Sequence, residues 1–182
     1  MAPWEAPQSL FTIYEPRNLL KADGLIAAEI NTLHKLYPRV VELCHQLSEY
    51  GIPETIEHGD FHDNNILVHE GHLIISDWGD AGISHPFFSL ASCLDSAIRN
   101  HELTEGDERY LKAQNVYLER WLAYGSRSQL REAFILAKKL RHFQFALSFS
   151  RVKECPGIER FPQFKGYIAE ALRDFIENIS LK

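Results

Sequence analysis

The feature that most constrains the fold is a pair of short apolar runs, residues 66–68 and 73–75, separated by the polar and flexible residues 69–72. Two apolar runs joined by a short, glycine-containing connection are typical of a β-hairpin. A hairpin brings its two outer ends next to each other. The polar stretches that flank the runs, residues 58–65 and 77–80, are therefore predicted to lie side by side.

Most of the remaining chain has the patterns of helices. From Leu19 to Leu47 the apolar residues recur at intervals of three and four, and Pro38 is predicted to start a second helix or to kink the first. After the hairpin, further helices are predicted at about residues 87–98, 105–123, 128–149 and 161–179, the third of them capped by Ser128. The sequence thus predicts a mainly helical α+β fold with one small β-hairpin.

The composition argues against several classes of function. A formal net charge of −6, from 19 basic and 25 acidic residues, disfavours a nucleic-acid partner, since phosphate backbones are bound by Lys and Arg. The three cysteines are far apart and odd in number, so neither a disulfide framework nor a Cys-x-x-Cys metal site is indicated. No signal peptide and no apolar run of about 18 residues is present, so we expect a cytoplasmic protein without a membrane partner.

The polar stretches beside the predicted hairpin contain the residue types that phosphoryl transfer to a hydroxyl requires. That reaction needs a carboxylate to orient the hydroxyl and oxygen ligands for a magnesium ion. Asp60 suits the first role, and Asn65 and Asp77 suit the second. Gly59 and Gly79 are predicted to permit close approaches that a side chain would block.

This stretch resembles the aminoglycoside phosphotransferase and choline kinase group, which is related to the protein kinases. The catalytic loop of that group, His-x-Asp-x-x-x-x-Asn, is matched by His58, Asp60 and Asn65, and its metal-binding Asp by Asp77. The resemblance implies ATP and Mg²⁺ as cofactors. It also implies that Asp60 is the catalytic base, that Asn65 and Asp77 are magnesium ligands, and that His58 supports the loop. Asp80 is a further candidate for binding metal or substrate.

The resemblance also implies the C-terminal lobe of a protein kinase-like fold. We expect this lobe to span residues 17–182, with the catalytic hairpin at about 56–81, after a loosely structured segment 1–16. An N-terminal ATP-gripping lobe is expected to be absent, because the residues before the catalytic loop show no Gly-rich loop and no strand-borne Lys. The chain is then a fragment of a larger kinase or a remnant of one.

A second departure concerns the residue that anchors the catalytic loop. Members of the group typically have an Asp shortly before a Leu-Ala pair, and this chain has Ser89 at that position. The anchoring is therefore expected to be weaker, or to be made by His85. His85 precedes Pro86, so a role as the cap of the next helix is the other possibility.

These residues favour an ATP-dependent phosphotransferase that acts on a small hydroxylated molecule, cationic or neutral, such as an aminoglycoside or choline. A metal-dependent hydrolase is one alternative, because His58, Asp60, His62 and Asp63 crowd His and carboxylate side chains together. A non-catalytic binding module is another, since the ATP-gripping lobe has no visible counterpart. Outside the hydrolase interpretation, His62, Asp63 and Asn64 are expected to be exposed loop residues, and their position leaves a role in substrate binding open.

Overall fold

A computed structural model describes residues 23–153 and 162–180. The described residues form two compact units: a central unit, Ser48–Lys138, and a terminal unit made of the residues before and after it. Helices dominate, and the strands form two small antiparallel sheets, which confirms the predicted mainly helical α+β class. The loose segment predicted for residues 1–16 lies outside the described residues, and the assignment of 17–182 to a kinase-like lobe stays a prediction.

The α-helices of the described residues lie where helices were predicted, but some ends differ: the third helix ends at Glu119 rather than near residue 123, and the last begins at Tyr167 rather than at 161. Pro38 lies inside the first helix, which excludes a second helix beginning there. None of these helices has both the length and the apolar character needed to cross a membrane. In chain order they are α1 (Ala27–Ser48), α2 (Phe87–His101), α3 (Glu108–Glu119), α4 (Arg127–Lys153) and α5 (Tyr167–Ser180).

Side chains of the preceding loops make hydrogen bonds close to the starts of α3 and α4. Ser126 caps α4 rather than the predicted Ser128: its Oγ accepts a hydrogen bond from the Gln129 amide at 3.3 Å, while Gln129 Oε1 accepts one from the Ser126 amide at 2.9 Å. This reciprocal pair is a capping box. Before α3, Asp107 Oδ2 accepts hydrogen bonds from the amide and hydroxyl of Thr104 at 2.6 and 2.9 Å. The helix nevertheless begins at Glu108, later than predicted, and the Asp107 side chain makes no capping hydrogen bond to it.

The predicted hairpin is present. Its strands, β2 (Ile66–His69) and β3 (His72–Ile75), pair antiparallel. The two turn residues, Glu70 and Gly71, have φ angles of 49° and 78°. Positive φ at both positions is what a two-residue type I′ turn requires. The turn therefore fixes the register that places the two outer ends of the hairpin together.

A second two-stranded sheet, which the sequence did not reveal, joins the chain on either side of the hairpin. Its strands are β1 (Thr55–Glu57) and β4 (Gly82–Ser84), paired antiparallel with Ile56 opposite Ile83. Strands of three residues are too short to show alternation of apolar and polar side chains. This sheet closes the loop that contains the candidate catalytic residues.

The core of the central unit lies at the start of α2. The Phe87 ring is fully buried and makes edge-to-face contacts with the rings of Tyr117, Trp121 and Phe134, with centroids 6.0 to 6.4 Å apart. Such aromatic contacts add to the free energy gained by burial. The Tyr117 hydroxyl also donates a hydrogen bond to the Pro86 carbonyl at 2.8 Å. These contacts hold the N-terminal end of α2 in place directly after β4.

The terminal unit has a core of its own. Asp23 is buried, and its carboxylate accepts hydrogen bonds from the amides of Gly166 and Ala169 at the start of α5. The rings of Phe143 and Phe175 pack with centroids 5.2 Å apart. Other buried residues of this unit are Leu33, Val40, Leu43, Leu140, Ile168 and Leu172.

His85 caps α2. Its ring is 6% exposed, and Nδ1 accepts a hydrogen bond from the Phe87 amide at 3.2 Å. Since Nδ1 is the acceptor, the hydrogen of the neutral ring is on Nε2, which is buried without a hydrogen-bond partner among the described residues. Burial lowers the pKa of His85 to about 4. The ring is therefore neutral in the folded protein at neutral pH.

The depressed pKa of His85 predicts that the free energy of unfolding decreases when the pH is lowered from 6.5 to about 4. The unfolded chain takes up a proton at His85 below pH 6.5, whereas the folded protein resists it down to about pH 4. The stabilisation is thus complete above pH 6.5 and is lost between these values, by on the order of 3 kcal/mol in the free energy of unfolding. Urea unfolding across this window measures it. The variant His85→Gln, which does not titrate, should lose less; an equal loss in both proteins would contradict the assignment.

Candidate active site

The two polar stretches that flank the hairpin lie side by side, as predicted. The Asn65 carbonyl accepts hydrogen bonds from the amide of Ser76 at 2.9 Å and from its hydroxyl at 3.3 Å. At the other end of the loop, Gly59 lies directly against the backbone of Asp80. The segment that carries Asp60 is therefore held to the segment that carries Asp77.

His58 links the two segments through both of its ring nitrogens. The ring is 3% exposed. Its Nε2 donates a hydrogen bond to the Ser76 carbonyl at 2.9 Å, and its Nδ1 accepts one from the Asp60 amide at 3.3 Å. The ring also packs against the Trp78 ring, with centroids 4.7 Å apart. One imidazole ring thus fixes the backbone of Asp60 and of the residue just before Asp77.

Asn65 is oriented by its amide nitrogen. Nδ2 donates a hydrogen bond to the Asp60 carbonyl at 2.9 Å and lies 3.3 Å from His62 Nε2. The same His62 nitrogen lies 3.2 Å from Asp60 Oδ2. Among the described residues, Oδ1 of Asn65 has no hydrogen-bond partner. This amide oxygen is therefore available as a ligand for a cation.

Three carboxylates gather at this edge of the molecule: Asp60, Asp77 and Asp80. The pKa of Asp80 is raised, first by partial burial and then by the negative charges of Asp60 and Asp77. Asp77 is exposed and has the left-handed conformation, with φ 61° and ψ 59°. Non-glycine residues in this conformation are strained and cluster at functional sites. The concentration of negative charge favours binding of a cation.

The donor set fits magnesium better than a metal bound by protein ligands alone. Within residues 23–153 and 162–180, no three His, Cys, Asp or Glu side chains form a group that could hold a metal ion. Magnesium is usually bound by one or two protein carboxylates, with water and substrate phosphates as the other ligands. The free amide oxygen of Asn65 and the exposed carboxylate of Asp77 supply hard oxygen ligands of this kind.

Asp63 is not the exposed loop residue that we expected. Its carboxylate accepts hydrogen bonds from the Ser96 hydroxyl at 2.6 Å, from Asn100 Nδ2 at 2.9 Å and from His101 Nε2 at 2.9 Å. The hydrogen bond from Ser96, followed by those from Asn100 and His101, lowers the pKa of Asp63 to about 2. His62 is also half-buried, and Asn64 alone of the three is exposed as expected.

Ser89 anchors the start of the catalytic loop together with a buried carboxylate. Its hydroxyl donates a hydrogen bond to Glu57 Oε1 at 2.8 Å and accepts one from the His58 amide at 3.3 Å. Glu57 is 3% exposed. Ser89 itself therefore makes this anchoring, which was expected to be weaker or to be made by His85. Sequence reasoning missed Glu57, although an acidic residue directly before His58 was a possible signal.

Only one of the two glycines expected to permit a close approach does so. Gly59 has φ +83°, and a Cβ there would lie 2.2 Å from the Asp80 carbonyl oxygen. A Cβ on Gly79 would meet only Asp77 Oδ1 at 3.7 Å, an ordinary contact, so the expectation is wrong for Gly79. Gly59 is thus the position where the two segments meet backbone to backbone.

Replacing Gly59 by Ala should separate the two segments. We expect the Gly59→Ala variant to lose about 3 kcal/mol of unfolding free energy, because strain at positive φ adds to a clash with backbone. Gly71→Ala is the matched control, since Gly71 has φ +78° and open space around it, and it should lose about 1 kcal/mol. Urea unfolding of both variants measures the difference. Equal losses of unfolding free energy in the two variants would show that the close approach at Gly59 does not contribute to stability.

Comparison with known proteins agrees with this geometry. The sequence model of the phosphotransferase enzyme family matches residues 6–126, a range that includes all the candidate site residues. It supports the resemblance to the aminoglycoside phosphotransferase and choline kinase group. No curated protein and no solved structure gave a significant match. Since the matched range covers more than half of the 182 residues, the chain belongs to the phosphotransferase enzyme family.

Proposed function

We propose that this phosphotransferase transfers the γ-phosphate of ATP to a hydroxyl group of a small molecule. The observation that carries the proposal is the arrangement around His58. This ring holds the backbone of Asp60 on one side and that of Ser76, next to Asp77, on the other. A base for the hydroxyl and a ligand for the metal are thereby brought to one edge of the central unit.

Asp60 is the residue that receives the acceptor. Its side chain is 47% exposed, so a small molecule can reach it. His62 lies 3.2 Å from one carboxylate oxygen, Oδ2, which leaves Oδ1 to accept a hydrogen bond from the substrate hydroxyl. Such a bond orients the hydroxyl oxygen toward the phosphorus and provides a destination for its proton.

Asn65 and Asp77 are the residues that would hold Mg²⁺, with Asp80 beside them. When bound, the ion would neutralise charge on the ATP phosphates. Asn65 contributes an oxygen whose direction is set by the bond from Nδ2 to the Asp60 carbonyl. The pKa of Asp80 is raised by partial burial and then by the charges of Asp60 and Asp77, so this edge of the molecule favours a bound cation.

The acceptor is a small hydroxylated molecule, neutral or cationic. The net charge of −6 favours a cationic compound over an anionic one through long-range attraction. Aminoglycosides and choline, which relatives phosphorylate, fit this description. The cytoplasmic location stays a prediction from the sequence.

The two alternative functions find less support. In a metallohydrolase, His58 and Asp63 would bind metal, but both nitrogens of His58 are engaged with backbone and both oxygens of Asp63 accept hydrogen bonds. No observation on the described residues favours a non-catalytic binding module.

Substitution of Asp60 tests the proposal. We expect Asp60→Asn to lower the rate of phosphate transfer from ATP by roughly 10²- to 10⁴-fold, the usual range for a lost general base. The assay uses the full gene product, γ-labelled ATP and a panel of hydroxylated amines and sugars. Glu54→Gln, which removes an exposed carboxylate outside the site, is the control and should keep full activity.

The melting temperature of the Asp60→Asn variant should stay close to that of the wild type, since this side chain is half-exposed. Transfer at the wild-type rate by this variant would falsify the proposed role. So would a wild-type protein that transfers phosphate to none of the acceptors.

A further inference from the structure

A cluster of side chains joins the middle of the catalytic loop to the C-terminal end of α2. We call it the Asp63 cluster; its members are Asp63, Ser96, Asn100 and His101. The Asp63 carboxylate accepts hydrogen bonds from all three partners, at distances of 2.6 to 3.1 Å. Asn100 Nδ2 also donates to Ser96 Oγ at 3.2 Å. The cluster is therefore a closed network rather than a single contact.

The position of Asp63 in the loop gives the network its significance. Asp63 is the first residue of a 3₁₀ turn, Asp63–Asn65, which follows Asp60 in the loop and ends with Asn65. The turn has two backbone hydrogen bonds, one from the Asn65 amide to the His62 carbonyl at 3.0 Å and one from the Ile66 amide to the Asp63 carbonyl. The network adds a link from this turn to a packed helix, since Ser96 is 2% exposed.

Stabilisation of α2 does not explain the network. A carboxylate beside the C-terminal end of a helix is unfavourable, because that end carries partial negative charge. Three donors offset this cost, and charged hydrogen bonds of this kind are among the stronger ones in proteins. The element that gains order from the contact is the turn, and Asn65 is the last residue of this turn.

We propose that Asp63 is a positioning residue for phosphate transfer: by fastening the turn to α2 it sets the placement of the Asn65 amide oxygen relative to Asp60. The proposal rests on the function proposed above. Asp63 itself touches neither substrate nor metal, because both of its oxygens are engaged with α2. Loss of the carboxylate should therefore weaken cation binding by the folded protein, beyond any loss of stability.

Titration of the protein with Mn²⁺ tests the proposal. Asp63→Ala should weaken Mn²⁺ affinity about tenfold, the lower end of the range for residues that support metal ligands indirectly. The measurement is made well below the melting temperature of every variant, so that only folded protein is compared. Asp107→Ala is the control: this carboxylate also accepts two hydrogen bonds in a loop of the central unit, so its loss should lower the melting temperature and leave Mn²⁺ affinity unchanged.

A double-mutant cycle tests whether the effect passes through α2. Ser96→Ala alone should weaken Mn²⁺ binding, and in the Asp63→Ala background it should have no further effect. Asp63→Asn, whose amide oxygen still accepts from Ser96, should retain part of the lost affinity. Additive effects of Ser96→Ala and Asp63→Ala would overturn the proposal.

The Asp77→Ala variant distinguishes a failure of the positioning role of Asp63 from a failure of the proposed function. If Asp77→Ala weakens Mn²⁺ binding and Asp63→Ala does not, the positioning role is overturned while the proposed function stands. If Asp77→Ala binds Mn²⁺ as tightly as the wild type, the proposed metal site is wrong and the positioning role falls with it. Weakening by both, with Asp107→Ala unaffected, supports both.

Discussion

The rest of the site depends on the two hydrogen bonds of the His58 ring. One joins the ring to the carbonyl of Ser76 and the other to the amide of Asp60, so one side chain spans the two segments that carry the polar residues. Because the ring is buried, breaking either bond would leave a polar group without water to replace its partner. The relative placement of Asp60 and Asp77 is therefore stabilised by contacts to the backbone, which act against the repulsion between the carboxylates.

Helix α2 (Phe87–His101) connects the loop that contains Asp60 to the core of the central unit. Near its start, Ser89 contacts the amide of His58. Near its end, Ser96 and its neighbours hold Asp63. The helix itself is fixed by the buried Phe87 ring. The candidate catalytic loop is thus fastened at two points to one helix, so packing far from the site can affect the geometry within it.

The sequence predicted the hairpin, whose strands are close together in the chain, but it did not predict contacts between residues that are far apart in the chain. The hairpin could be predicted because apolar runs and the residues of its tight turn are neighbours in the chain. The sheet that joins Ile56 to Ile83 could not, since its strands are too short to show a pattern. The partners of Asp63 lie more than thirty residues further along the chain, and no sequence rule links them. Gly79 resembled Gly59 in sequence, and only the fold distinguishes them.

The most direct test is an anomalous-scattering map of crystals of the full protein grown with Mn²⁺ and a non-hydrolysable ATP analogue. The expected result is a manganese peak bonded to Asn65 Oδ1 and the Asp77 carboxylate, with Asp60 outside its coordination shell and facing the γ-phosphate. A peak bonded to His58, His62 or Asp63, or no peak near Asn65 and Asp77, would contradict the account.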